Sequence, residues 1–180
     1  MGTVEPIKDL LKIKSIEENL KQSSMRNLLL FLIGINCGLR ISDILKLNIA
    51  DIQDKQFIIV NEKKTGKFKK IPINSKLKPI IKEFIKGKKL SEPLFKSKNN
   101  NRLDRTNAYR IIKKECSKFV EETRIGTHTL RKTFGYHHYK KFNDIALLQK
   151  IFNHSSPQIT LRYIGIEQAD IEESYLNFIL

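Results

Sequence analysis

Residues 25 to 35 constrain the fold more than any other stretch. Met25, Leu28, Leu29, Leu30, Phe31, Leu32, Ile33 and Ile35 leave a helix there almost no polar face. A helix that is apolar on every side needs neighbours on every side, so the segment predicts a central helix sheathed by others. Ser24 suits its N-cap, and Gly38 suits the left-handed residue that ends it. The run falls well short of the roughly 18 residues of a membrane span. Met1 to Leu10 lack the apolar core of a signal peptide, so the expectation is a soluble, cytoplasmic protein with no membrane partner.

The remaining elements follow from periodicity. Ile7, Leu10, Leu11, Ile16 and Leu20 mark an amphipathic helix over residues 7 to 20. Past Gly38, Ser42 is placed to cap a short helix from Asp43 to Leu47. The period then changes: Gln56 to Val60 and Phe68 to Ile73 read as two strands around the turn Lys64-Thr65-Gly66-Lys67, with Pro72 limiting the pairing. Helices follow over Ser75 to Lys86 and from Thr106 to Phe119, separated by a polar loop from Ser97 to Arg105. Three more run through Leu130, Phe134 and His138, through Ile145 to Phe152, and from Ser156 or Pro157 to Tyr163. The expected fold class is mainly α with a small antiparallel β-sheet (α+β), residues 1–180 forming a single domain. Residues 166–180 make a C-terminal helical tail whose Ile171, Tyr175, Leu176, Phe178, Ile179 and Leu180 give it an apolar face.

Charge narrows the partner. Thirty-four Lys and Arg against nineteen Asp and Glu give +15. The tail from residue 165 holds Glu167, Asp170, Glu172 and Glu173 and no base, so the rest of the chain carries +19. Twelve lysines crowd between Lys55 and Lys89 against Glu62 and Glu83, a self-repelling face that a polyanion would relieve. Cys37 and Cys116 lack metal-ligand spacing and read as reduced, structural thiols.

Six residues can carry chemistry, and each alone has an ordinary reading. Arg40, just past Gly38, either binds an anion or caps carbonyls of the preceding helix. Lys64 sits in a lysine-rich turn where a solvated charge is the default. His128 and Arg131 are three apart and share a helix face, as a surface pair or as a joint site. His154 reads as a helix-terminal hydrogen-bonding residue or a site member, and Tyr163 as a core tyrosine or a nucleophile. As a set they fit phosphoryl transfer: two guanidiniums can grip the non-bridging oxygens of a phosphate, and a lysine can protonate a leaving alkoxide. Histidines can move a proton, and a tyrosine hydroxyl can attack phosphorus. The sequence has neither a carboxylate cluster for Mg²⁺ nor a Gly-Lys-Ser phosphate loop, so no metal, ATP or other cofactor is expected.

Four stretches then carry a resemblance. Cys37-Gly38-Leu39-Arg40-Ile41-Ser42-Asp43-Ile44-Leu45-Lys46-Leu47 resembles the first arginine box of the tyrosine recombinases, or phage-type integrases. Lys64-Thr65-Gly66-Lys67 followed by Ile71-Pro72-Ile73 resembles their lysine hairpin. His128-Thr129-Leu130-Arg131 is similar to the His-x-x-Arg box, and Phe152-Asn153-His154-Ser155-Ser156 with Tyr163 to the closing box. The resemblance implies the family's catalytic-domain fold and a role for each residue. Arg40 and Arg131 hold the scissile phosphate, Lys64 is general acid to the departing 5′ oxygen, and Tyr163 forms a 3′-phosphotyrosyl bond. His128 is proton acceptor or hydrogen-bond partner, and His154 is a phosphate ligand. Asp43 either orients Arg40 or caps a helix.

The same resemblance implies double-stranded DNA as partner, a homo-tetramer assembled on it, and a bacterial or phage-encoded, nucleoid-associated protein. Lys63, Lys67, Lys69, Lys70, Arg102, Arg105 and Arg110 are the expected DNA-facing bases. Lys63 and Lys67 lie close enough to compete with Lys64 for the acid. Asn153 stands where the family usually has Gly. The chain reads either as an excised catalytic domain or, preferred here, as a small single-domain member like the fimbrial phase-variation recombinases. Its tail either docks on a neighbouring protomer or packs on its own domain. The rival functions are a type IB topoisomerase-like nicking and resealing enzyme and a non-catalytic DNA-binding protein on the same scaffold.

Overall fold

A computed structural model describes residues 4–61, 68–166, 172 and 175–179. The central helix is as the sequence demands: α2 (Met25–Cys37) is capped by the Ser24 hydroxyl and buries Leu28 through Gly34 without a break. It is wrapped by α1 (Leu10–Ser23), α4 (Leu77–Ile85), α5 (Arg105–Cys116) and α6 (Thr129–Phe142). Between α2 and α4 lie the short helix α3 (Ile41–Ile44) and the strands β1 (Phe57–Asn61) and β2 (Phe68–Pro72). The strands pair antiparallel with Phe57 opposite Pro72 and Asn61 opposite Phe68. Helices α7 (Ile145–Phe152) and α8 (Pro157–Ile164) close the fold over a smaller apolar cluster of Leu148, Phe152 and Ile164, with Phe134 and Tyr163 against it.

Helices α1, α3 and α5 have bounds that differ from the sequence reading for local reasons. The Asp9 side chain caps α1, so the helix starts at Leu10 and its buried stripe is Ile13, Ile16 and Leu20. Leu10 and Leu11, expected in the core, are 67 % and 75 % exposed, while Ile7 is buried in the extended segment before the helix. Helix α3 begins at Ile41 rather than after Ser42. Arg40 takes the extended N-cap position and Asp43 is buried in the first turn. Helix α5 opens one residue early because the Asp104 side chain accepts from the Asn107 amide, and it ends at Cys116 instead of Phe119.

Two glycines set the α2–α6 contact. A Cβ on Gly34 would lie 2.5 Å from Leu130 Cδ1, so only glycine lets the helices approach this closely. Gly38 ends α2 at φ +60°, and a Cβ there would stand 2.5 Å from the Phe134 ring. Cys37 and Cys116 are free and buried, and burial pushes both thiols up to about 12, in line with unreactive structural cysteines. Among the described residues no helix is long and apolar enough to cross a membrane.

Part of the tail lies outside the described residues, Ile171 and Leu180 included. Its described apolar side chains, Tyr175, Leu176, Phe178 and Ile179, are 70–87 % exposed. In this structure they do not bury themselves on their own domain.

Gly38→Ala meets both a left-handed backbone and the Phe134 ring, and should lower stability by about 2–4 kcal/mol in urea denaturation. A variant as stable as the parent would show that this turn is slack.

Candidate active site

The site forms where four chain ends meet. Gly38 turns the chain out of α2, so Arg40 stands at the start of α3. Residue 128 occupies the N-cap position of α6, with Arg131 one turn further on. Helix α7 ends at Asn153, which adopts the left-handed conformation (φ 53°, ψ 48°). Asparagine tolerates that region better than most residues, so it meets the backbone requirement of a position where the family usually has Gly. His154 follows, Ser156 caps α8, Pro157 opens it, and Tyr163 lies in its last turn.

Arg131 is buried, at 4 % exposure, and its guanidinium joins these pieces. Nη1 donates to the Gly38 carbonyl and Nη2 to the Phe152 carbonyl at 3.1 Å, and the group stacks 4.3 Å above the Phe152 ring. His128 Nδ1 stands 3.1 Å from the Tyr163 hydroxyl. The His154 ring lies edge-on to Tyr163 at 5.0 Å, and its Nδ1 is 3.1 Å from the hydroxyl of Thr160 on α8. Thus Arg131, His128, His154 and Tyr163 converge within one chain.

Electrostatics sets their protonation. Part of the His128 ring is open to solvent. Even so, its remaining burial, and then the charges of Arg105, Arg131, Lys132 and Arg40, push it below its ordinary 6.5. A shift in that direction favours the neutral ring at pH 7. Burial pushes the Tyr163 hydroxyl above its ordinary 10, opposed by the charge and hydrogen bond of Arg131 and by the charge of Arg40.

The DNA-facing bases expected from sequence divide. Lys63, Lys64 and Lys67 lie outside the described residues. Lys69 is turned inward: its ammonium donates to the Ile151 carbonyl at 2.5 Å, at the negative end of α7. Arg102 uses its guanidinium on the Leu45 and Leu47 carbonyls and the Asn48 side chain at 2.7–3.1 Å, holding the loop after α3. Lys70 is exposed and lies over the Phe57 ring, Arg105 is exposed within electrostatic reach of His128, and Arg110 lines an open cleft of about 510 Å³ with Arg26, Lys98 and Lys114. The sequence reading missed Thr160, the His154 partner, and Lys132, whose ammonium lies 5.3 Å from the Tyr163 ring centre. Position next to Arg131 was the one available signal for Lys132.

A mainly helical domain with a two-stranded sheet, in which a tyrosine, a histidine and a buried arginine meet, defines the catalytic-domain class of DNA strand transferases. The chain belongs to the phage integrase family, whose profile matches residues 5–169. It is similar to the probable integrase/recombinase YoeC of Bacillus subtilis (strain 168), at 46 % identity over 99 % of this chain and 98 % of that protein. It is also similar to tyrosine recombinase XerA of Pyrococcus horikoshii, at 30 % identity over 92 % of this chain and 58 % of that one. Among solved structures it superposes on the XerA recombinase with a TM-score of 0.77 at 19 % identity, covering 98 % of this chain and 64 % of that chain. For the Tn1549 transposon integrase in complex with transposon right end DNA the TM-score is 0.73 at 20 % identity, covering 98 % and 66 %. The fold is that of tyrosine recombinase catalytic domains.

In carbon-detected NMR of the imidazole rings, His128 should titrate below 6.5, and Arg105→Ala should move its midpoint up towards that value. A midpoint at or above 6.5 in the parent would contradict the electrostatics described for this site.

Proposed function

We propose that the chain is a site-specific DNA recombinase in which Tyr163 breaks and reseals strands. The Tyr163 oxygen attacks the scissile phosphorus while the bond to the 5′ oxygen breaks, leaving a 3′-phosphotyrosyl ester and a 5′ hydroxyl. The phenolic proton passes to His128, and Lys64 supplies a proton to the departing oxygen. Arg40 and Arg131 hold the non-bridging oxygens, with His154 as a further phosphate ligand and Asp43 steadying the turn that carries Arg40. The phosphodiester energy stays in the protein ester, so a different 5′ hydroxyl can complete the exchange with no cofactor. The observation that carries this reading is the 3.1 Å contact between His128 Nδ1 and the Tyr163 hydroxyl, beside the buried Arg131. It supports reading His128 as acceptor and Tyr163 as nucleophile, because the two groups lie within proton-transfer reach.

Double-stranded DNA is the substrate, met by exposed bases such as Lys70, Arg105 and Arg110 and by the hairpin lysines Lys63, Lys64 and Lys67. A recombinase is favoured over a topoisomerase-like enzyme because the relatives named above are integrases and recombinases. It is favoured over a binding-only protein because every catalytic position holds a competent residue. The protein acts in the cytoplasm on bacterial or phage DNA, as a homo-tetramer in which residues 1–180 supply the catalytic domain. The tail of one protomer docks on the next, a role supported by its exposed Tyr175, Leu176, Phe178 and Ile179.

Incubated in EDTA with nicked duplexes pooled from the DNA around its gene, the wild type should yield a denaturant-resistant DNA adduct, and Tyr163→Phe should bind DNA equally but yield none. Binding without any adduct on optimised sites would move the reading to the non-catalytic protein. Truncation after Gly165 should leave a folded monomer that no longer assembles on paired sites; an unchanged oligomer distribution would remove the docking role of the tail.

A further inference from the structure

The first described residues, Val4 to Ile7, have no regular secondary structure and form a strap bonded to α6. The Ile7 amide donates to the Thr133 hydroxyl at 2.9 Å, and that hydroxyl donates to the Thr129 carbonyl at 2.8 Å. His137 Nε2 lies 2.9 Å from the Ile7 carbonyl. The Glu5 amide donates to the Arg124 carbonyl at 2.9 Å, and the Glu5 carboxylate pairs with the Arg124 guanidinium at 3.1 Å. Pro6 is buried and lies close to Gly165, the residue that ends the tyrosine helix.

One strap bond leads into the site. Lys132 Nζ donates to the Val4 carbonyl at 2.6 Å, and the same ammonium lies 5.3 Å from the centre of the Tyr163 ring. A half-buried lysine costs desolvation, and burial indeed pushes Lys132 below its ordinary value, but the Glu5 carboxylate on the strap opposes that shift. Cation and ring attract over this separation, so the ring gains a preferred orientation against the ammonium.

We propose that Lys132 is a positioning residue for the nucleophile: the Val4 carbonyl of the strap fixes its ammonium against the Tyr163 ring, so the strap sets the direction of the attacking hydroxyl. The hydroxyl is already committed to His128 at one end, and Lys132 fixes the ring from the side. The proposal rests on Tyr163 being the nucleophile, and its test separates the two ideas.

The full chain, carrying carbon-13 in its tyrosine rings, is compared with Lys132→Met, Lys132→Arg and Thr133→Val, the Tyr163 signal being identified by its loss in Tyr163→Phe. Lys132→Met should move the Tyr163 ring signal and slow adduct formation on nicked duplexes that trap the wild type by about tenfold or more, with retention in native gels unchanged. Lys132→Arg should restore both. Thr133→Val, which frees the strap at Ile7, should shift the same Tyr163 signal in the same direction. Should Lys132→Met fail to fold, the Thr133→Val signal decides. An unmoved Tyr163 signal, or an adduct rate at the wild-type level in Lys132→Met, overturns the proposal. If the wild type forms no adduct on any duplex, the strand-exchange reading fails, and the ring signal alone then settles the role of Lys132.

Discussion

Arg131 is the interaction on which the rest of the site depends. Burying a guanidinium is costly unless its donors are met, and here they are met by the Gly38 carbonyl after α2 and the Phe152 carbonyl at the end of α7. Both are C-terminal carbonyls, the negative ends of helix dipoles, which suits a cation. Those carbonyls are free to accept only because each helix stops in a left-handed residue, Gly38 and Asn153. A single buried charge thus fixes the turn bearing Arg40, the helix bearing His128 and the segment bearing His154. Lys69 adds to this by capping the Ile151 carbonyl one residue upstream.

The field around His128 and Tyr163 decides which of the two holds the proton. Burial first, and then the charges of Arg105, Arg131, Lys132 and Arg40, hold His128 below its ordinary value, while burial holds Tyr163 above its own; both shifts favour the proton on the phenol. A phosphodiester is an anion. Seated among those guanidiniums, it would offset part of the positive field at His128 and raise the basicity of the ring.

Much of this was legible in the sequence because it is local. The unbroken apolar run of α2 needs surroundings on every side, and Ser24 and Gly38 mark its ends without ambiguity. The change of period at Gln56 marks the hairpin, and the spacing of His128 and Arg131 places them on one helical face. What could not be read depends on side-chain reach across the fold. Lys69 and Arg102 look like surface bases in a basic chain, yet each finds backbone carbonyls distant in sequence, 82 and 55–57 residues away. Leu10 and Leu11 have helical spacing with Ile7, but the Asp9 cap starts the helix after Ile7 and turns both leucines outward. Lys132 meets Val4 across 128 residues, a pairing that no window of sequence contains.

Tyr163 shows why such long-range contacts matter to the chemistry. Its helix, α8, has 8 residues, about two turns, far below the length at which a helix is stable alone in water. Ser156 and Pro157 start it and Gly165 stops it, but caps of this kind fix where a helix lies along the chain and not where it points. Direction comes from packing: Ile164 and Thr160 are fully buried, Thr160 holds His154, and Pro6 of the strap lies against Gly165. The position of Tyr163 is thus a tertiary property, shared among α6, α7 and the strap. Gly165, two residues past Tyr163, lies beside Pro6, so the strap abuts the end of the helix that carries Tyr163.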